Sequence, residues 1–330
     1  MSEMKMKKKY VAYTIAVLLF LAALVLFFSV SNSYVQSILN MLLYNIVLVL
    51  GLNYITGLTG QMNLGTVGML AFGAYTYGIL TSTYGWLPWV AFFALFAVGF
   101  AIGRGLGYPS LRLKGFYLSL TTIGFSEIVR LLIANLDGLT GGTMGFYNVM
   151  TLPFFFKFAD KNSIFYINII FTVILTAVAF RLVYSKWGRA FKAIRDNVEA
   201  AEASGINISK LKIQAFTLAA LYAVIAGVMY AMYNTNLNPS GFTINYSQNY
   251  VAMLMIGGIG TVPGNLIGAS IVTILPELLR QFDQYYWIIF STICIVMAIL
   301  VPDGLWPLFR RWFRTLRKKL GAGSAMGEVK

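Results

Sequence analysis

Apolar runs long enough to cross a lipid bilayer recur along this chain, and clusters of basic residues punctuate them. A helix crosses the hydrocarbon core in about 20 residues. Stretches near 11–31, 36–56, 86–104, 115–134, 164–184, 212–233 and 285–302 meet that length. In lipid every backbone N–H and C=O must be satisfied inside the segment or by protein, so a run of this kind takes the form of an α-helix. Only 11% of the residues are charged and 58% are hydrophobic, against about 25% charged in a soluble domain. The fold class read from this is an all-α polytopic membrane protein.

The N-terminus, MSEMKMKKKY followed by VAYTIAVLLFLAALVLFFSV, has the order of a signal peptide. Its apolar run is too long for a signal core and no small-residue cleavage site follows, so it reads as an uncleaved first span. The single cysteine, Cys294, sits in an apolar run, which excludes an intramolecular disulfide and makes it a small buried side chain. The net charge of +14 does not point to nucleic acid. Most of the basic residues fall in four blocks between apolar runs, as the positive-inside rule produces.

Those blocks set the orientation. Lys5, Lys7, Lys8 and Lys9 precede the first run; Arg104, Arg112 and Lys114 stand at or after the end of 86–104. Arg181, Lys186, Arg189, Lys192, Arg195, Lys210 and Lys212 stand at or after the end of 164–184, and Arg310, Arg311, Arg314, Arg317, Lys318 and Lys319 follow the last. With all four cytoplasmic, both termini are inside and the number of crossings is even. Two regions are less regular: 62–83, rich in glycine, and 248–279, too long for one pass and interrupted by Gly257, Gly258, Gly260, Pro263 and Gly264. Two short passes in 248–279 give ten spans, N-in and C-in. Eight spans with re-entrant segments also keep both ends inside. The chain then divides into one membrane domain, 1–303, with a cytoplasmic loop at 185–212, and a basic tail, 304–330.

Irregular backbone at membrane depth must be buried in protein or line a watery cavity. The segments TGLTGQMNLGTVG (56–68) and IGGIGTVPGNLIG (256–268) lie in the two halves of the chain, an arrangement transporters use beside the substrate path, and one that suggests an inverted repeat. Gly60, Gln61, Asn63 and Gly65 in the first, and Gly257, Gly258 and Gly260 in the second, are the candidate path residues. The competing reading of each glycine is close helix packing. Glu127 and Arg130, three apart in a predicted span, join the candidates because intramembrane charges are functional by default; the alternative is a self-neutralising pair. Glu277, Arg280 and Asp283 read as a solvated outer rim or as partners for a docking protein.

The stretch 185–212 is the longest polar one inside the apolar region. Trp187, Phe191, Ile194 and Val198 recur at helical spacing with Arg189, Lys192 and Arg195 between them, which suits a helix lying in the membrane interface with its cations toward lipid phosphates. In DNVEAAEASG, Asp196 followed three residues later by Glu199 reads as a capping box, and Gly205 as a stop. Ala200 and Ala201 lie in the short helix between them, whose small side chains would fit a cleft on a soluble partner. The bland alternative is a solvated loop whose cations only set topology.

EAAEASGINISKLK resembles the EAA loop of ABC-transporter permeases, and the wider stretch SKWGRAFKAIRDNVEAAEASGINISKLKIQAF resembles the branched-chain amino acid (LIV-type) permeases, M-type subunit. The stretches at 57–75, 115–132, 140–146 and 253–279 are similar to that family too. Where the family often has His after LG, Thr66 stands. The resemblance implies a binding-protein-dependent importer. An H-type permease would pair with this chain, two ATPase subunits would lie beneath, and an extracytoplasmic protein would deliver substrate. Asp196, Glu199, Ala200, Ala201 and Gly205 would couple to the ATPases. The implied substrate is an apolar amino acid, with urea, amides or another small solute as alternatives. The location is a bacterial or archaeal plasma (inner) membrane.

The chain carries no phosphate loop: GGTMGF and GGIGTVPG lack the lysine that cradles phosphate. ATP and Mg are therefore expected on partner subunits, with no cofactor or metal in this chain. A secondary carrier is disfavoured because Glu127, the clear intramembrane carboxylate, has Arg130 beside it. A membrane enzyme is disfavoured because His is absent and no paired acids stand at ligand spacing.

Overall fold

The structure is a computed structural model that describes residues 33–113, 115–153, 161–279, 286–301 and 304–309. The predicted span at 11–31, the basic N-terminus, Arg280, Asp283 and the tail beyond 309 lie outside these residues, as does the side chain of Cys294.

The apolar runs form helices in chain order. They are α1 (Ser33–Leu52), α2 (Thr66–Gly78), α3 (Pro88–Gly107), α4 (Phe116–Asn135), α5 (Lys161–Val183), α6 (Lys186–Asp196), α7 (Val198–Ala203), α8 (Ile208–Asn234), α9 (Ile244–Gly257), α10 (Val262–Leu279) and α11 (Tyr286–Leu300). Among the described residues, six stretches are long and apolar enough to cross a membrane: Tyr34–Leu58, Pro88–Arg112, Phe116–Asn135, Ser163–Val183, Ile208–Asn234 and Val262–Leu279. Helices α2, α9 and α11 are shorter, at 13, 14 and 15 residues. The Gly-rich run 62–83 thus becomes a helix that begins only at Thr66 and ends in a wider π-turn, Ile79–Thr83. The run 248–279 divides into α9 and α10, because Gly258 and Gly260 take positive φ (126° and 77°), which a helix cannot contain.

Helix α8 is the axis of the fold, and α1, α2 and α3 pack around it through glycines. A methyl on Gly103 would stand 2.4 Å from Thr217 Cα, on Gly73 2.7 Å from Val224 Cα, and on Gly51 2.7 Å from Tyr222 Cβ. Lipid tails are as apolar as leucine, so close backbone approach and dispersion replace the hydrophobic effect as the source of association. Buried polar side chains add bonds between helices: Asn168 Nδ2 donates to Asn40 Oδ1 (2.8 Å), and Asn45 Nδ2 to Thr273 Oγ1 (2.9 Å). Apolar side chains on α3 and α4 are exposed, with Phe93, Phe100, Leu120, Ile128 and Leu132 among them. On a membrane protein such faces meet lipid or another subunit.

At one end of the bundle, the loops after α4 and α8 join. Phe146 and Leu237 exchange backbone hydrogen bonds (2.7 and 2.8 Å), and Val149 N donates to Thr235 O (3.0 Å). Glu277 accepts from the Tyr34 hydroxyl, so this carboxylate is engaged within the chain.

Candidate functional site

Helix α1 does not stop at Leu52. It widens into a π-turn, Asn53–Leu58, and ends at Thr59, whose hydroxyl donates to Ile55 O (2.7 Å). Gly60 then turns at φ 72°, and the chain stays irregular until α2 begins. The first N–H groups of a helix have no partner of their own, and Gly65 offers no side chain to cap them. Neighbouring helices serve them instead. Leu64 N donates to Thr122 Oγ1 (3.1 Å) and Gly68 N to Ser126 Oγ (3.1 Å), both on α4; Val67 N donates to Ser247 Oγ (3.3 Å) on α9. Asn63 Oδ1 accepts from Gly65 N (2.9 Å). Other polar atoms here, both side-chain atoms of Gln61, Asn63 Nδ2, Thr66 Oγ1 and Thr56 Oγ1, are buried without a partner among the described residues.

The second break, between α9 and α10, meets the first. Asn53 Oδ1 accepts from Gly260 N at 2.9 Å across 207 positions of sequence. A methyl on Gly57 would lie 1.9 Å from Asn53 Oδ1 and 3.0 Å from Gly260 N. Gly257, Gly264 and Gly268 bring α9 and α10 into backbone contact, a methyl on Gly257 standing 2.0 Å from Gly264 O. The structure therefore brings Gly60, Gln61, Asn63, Gly65, Gly257, Gly258 and Gly260 into one region. It leaves Glu127 and Arg130 apart. Arg130 Nε donates to both carboxylate oxygens of Glu127 (3.0 and 3.1 Å), and neither side chain hydrogen-bonds to either break.

The charged stretch lies against the same region. Gly188 lets the chain turn from α5 into α6, since a methyl there would stand 2.1 Å from Val183 O. Ser185 caps α6, accepting from Trp187 N (3.1 Å). Phe191 and Ile194 are buried within the protein, while Trp187 and Val198 are exposed. Phe191 and Ile194 of the predicted apolar face are thus spent on protein, Trp187 stays exposed, and Val198 belongs to the next helix. Lys192 is pulled below the ordinary lysine value, first by burial and then by neighbouring Arg195. Arg195 reaches back: its Nη1 donates to Gly57 O at 2.8 Å. Its side chain also fills the space beside Gly60, where a methyl would meet Arg195 Cγ at 3.1 Å.

Two sequence expectations change at α7. The cap is Asn197, whose Oδ1 accepts from Ala200 N (2.9 Å); Asp196 is the last residue of α6. Asn caps as well as Asp does, and only the chain direction after Asp196 decides between them. Ala201 is 3% exposed and packs inward, so the open face carries Glu199, Ala200, Glu202 and Ala203. The stop is as expected. Gly205 has φ 77°, Gly205 N donates to Glu202 O (2.9 Å) and Ile206 N to Ala201 O (3.1 Å), the Schellman pair of bonds. Arg195, Asn53 and Gly57 were absent from the candidates. Their roles depend on contacts between residues far apart in sequence, which no local pattern signals.

Known proteins support one assignment. The profile described as branched-chain amino acid transport system / permease component matches residues 34–300. The LivM high-affinity branched-chain amino acid transport permease of Salmonella typhimurium is 31% identical, over 91% of this chain and 75% of its own length. Its Escherichia coli counterpart is 31% identical over 86% and 71%. The LsrC autoinducer 2 import permease of Yersinia enterocolitica is 26% identical over 75% and 69%. No solved structure matches. The chain belongs to the branched-chain amino acid transport system permease family, and is a multi-pass ABC-transporter permease of the plasma membrane.

Proposed function

We propose that this chain is the M-type permease of a binding-protein-dependent importer for branched-chain or similarly apolar amino acids. It works with an H-type permease, two ATPase subunits that hold ATP and Mg, and an extracytoplasmic binding protein. Relatives named for branched-chain amino acid transport support the substrate class. The LsrC relative, named for autoinducer 2 import, supports a second reading, a small polar solute. Ten spans with both termini inside fit the nine apolar helices α1–α5 and α8–α11 together with the run at 11–31. In that orientation α6, α7 and both breaks lie toward the cytoplasm.

The observation that carries the mechanism is the Arg195–Gly57 hydrogen bond. The small open face of α7 seats in an ATPase cleft. When ATP draws the ATPases together, α7 moves, and α6, joined to it at Asn197, moves with it. Arg195 passes that displacement to the Gly57 carbonyl. Asn53 passes it on to Gly260, so the two breaks shift together. Gln61, Asn63 and Thr66 then present their unpartnered polar atoms to passing substrate.

The test uses the four-subunit complex with its binding protein in proteoliposomes. Ala200→Arg places a long cation on the open face of α7. Substrate-stimulated ATP hydrolysis and uptake both vanish, while the permease pair remains intact. Arg195→Gln keeps the ATPases bound but lowers substrate moved per ATP hydrolysed, and Arg195→Lys restores part of it. Stimulated hydrolysis at the wild-type rate in Ala200→Arg overturns the docking role. An unchanged transport ratio in Arg195→Gln overturns the linkage. Uptake of leucine against a hydrophilic solute separates the two substrate readings.

A further inference from the structure

Outside the breaks, the bundle holds a cavity of about 500 Å³ between α3, α6 and α8. Phe100, Ile213 and Leu218 give it apolar walls, and Arg104 and Lys210 stand exposed at it. Arg104 lies over the Phe100 ring, 4.4 Å from its centroid. Neither cation forms an ion pair among the described residues. Gln214 also lines the cavity, and its Oε1 is buried with no hydrogen-bond partner among those residues.

The cavity's position in the membrane narrows the occupant. Arg104 is in the last turn of α3, Lys210 in the first turn of α8, and Trp187 in the first turn of α6, just past α5. All three mark the same end of three spans. Basic and Trp side chains gather at the membrane–water interface, and basic ones mark the cytoplasmic side. The lipids of that leaflet are partly anionic. An apolar cavity with two cations at its mouth, neither in an ion pair among the described residues, matches a molecule with one negative charge and a hydrocarbon tail. A protein segment would need a carboxylate beside a long apolar side chain and would leave the slot's depth unused.

We propose that this cavity binds an anionic glycerophospholipid. The phosphate sits between Arg104 and Lys210, and one acyl chain follows Phe100, Ile213 and Leu218. Trp187 and Phe191 of α6 close the near wall. The lipid therefore braces the helix that carries Arg195. The site requires only that this end of the bundle be at the membrane interface, and stands whether or not α7 docks an ATPase.

The test is native mass spectrometry of the full-length chain, with the subunits that co-purify with it, in micelles containing equal phosphatidylglycerol and phosphatidylcholine. Wild type retains phosphatidylglycerol preferentially. Arg104→Gln with Lys210→Gln, two exposed positions, lowers that retention on the order of tenfold, the effect of losing two interfacial cations. Leu218→Trp fills the slot, keeps both charges and lowers retention too. Arg189→Gln, an exposed cation on α6 that does not line the cavity, leaves it unchanged. Equal retention of the two lipids by wild type overturns the proposal. So does equal loss in Arg189→Gln and the double variant, which shows diffuse attraction to a charged face. A photo-crosslink from position 218 to a partner subunit, with no lipid adduct, assigns the cavity to that subunit and overturns it as well.

Discussion

The two backbone breaks face each other, yet they are held in opposite ways. The first, between α1 and α2, is long and polar. Its N–H groups rest on hydroxyls of Thr122, Ser126 and Ser247, lent by two other helices. The second, between α9 and α10, is short, and glycine stands on carbonyl where the helices meet. A side-chain hydroxyl can rotate and follow a moving donor. Backbone in contact with backbone cannot. The first break is therefore the adjustable element and the second the abutment it works against, with Asn53 and Arg195 as the ties.

The largest effect tests the abutment. In Gly268→Ala the new methyl would lie 1.9 Å from Met253 O and 2.8 Å from Gly257 N. Both neighbours are backbone, so α9 and α10 must separate. The cost is at or above the upper end of the roughly 1–3 kcal/mol of overpacking. Size-exclusion profiles of the solubilised protein will show loss of the monodisperse peak. Gly57→Ala meets an obstacle equally close, 1.9 Å, but that obstacle is the Asn53 side chain. Asn53→Ala in the same chain therefore restores much of the lost yield, whereas no side-chain change near Gly268 does. Equal tolerance of both glycine substitutions would erase the distinction between the breaks.

Much of this was legible in the sequence, and the part that was not has a common cause. The apolar runs located α1, α3, α4, α5, α8 and α11 to within a few residues, because a bilayer imposes length and helicity on any segment that crosses it. Glycine density marked both breaks, since positive φ at Gly60, Gly258 and Gly260 is a local requirement. The stop of α7 at Gly205 was readable for the same reason. The polar ties were not. Asn53 is one asparagine inside an apolar helix, and Arg195 is one cation in a cluster of them. Nor does a run of small residues reveal which of them turns inward, as Ala201 does.

A middle-sized effect sharpens the account of the adjustable break. Thr122→Val and Ser126→Ala each remove the acceptor from one N–H near the start of α2. A buried donor left unmade costs about 1–3 kcal/mol. The thermal midpoint in detergent falls for each, and the double variant falls by about the sum if the donors act independently. The protein still assembles, because α9 and α10 are untouched. Failure to assemble would mean that the first break is as rigid as the second.

The smallest expected effect concerns a site that belongs to neither break. Glu127 and Arg130 satisfy each other on α4, with side-chain exposures of 44% and 28%, and the neighbouring Ile128, Leu131 and Leu132 are exposed. Removing one partner leaves a lone charge on an apolar face, which is costly in a membrane. Removing both does not, since a self-neutralising pair replaced as a unit is often close to neutral. Glu127→Gln with Arg130→Gln should thus keep yield, thermal midpoint and transport per ATP near wild type, while Glu127→Gln alone lowers the yield. Transport lost in the double variant at normal yield would move the substrate path onto the outer face of α4. The two breaks would then be a hinge beside the path and not its lining.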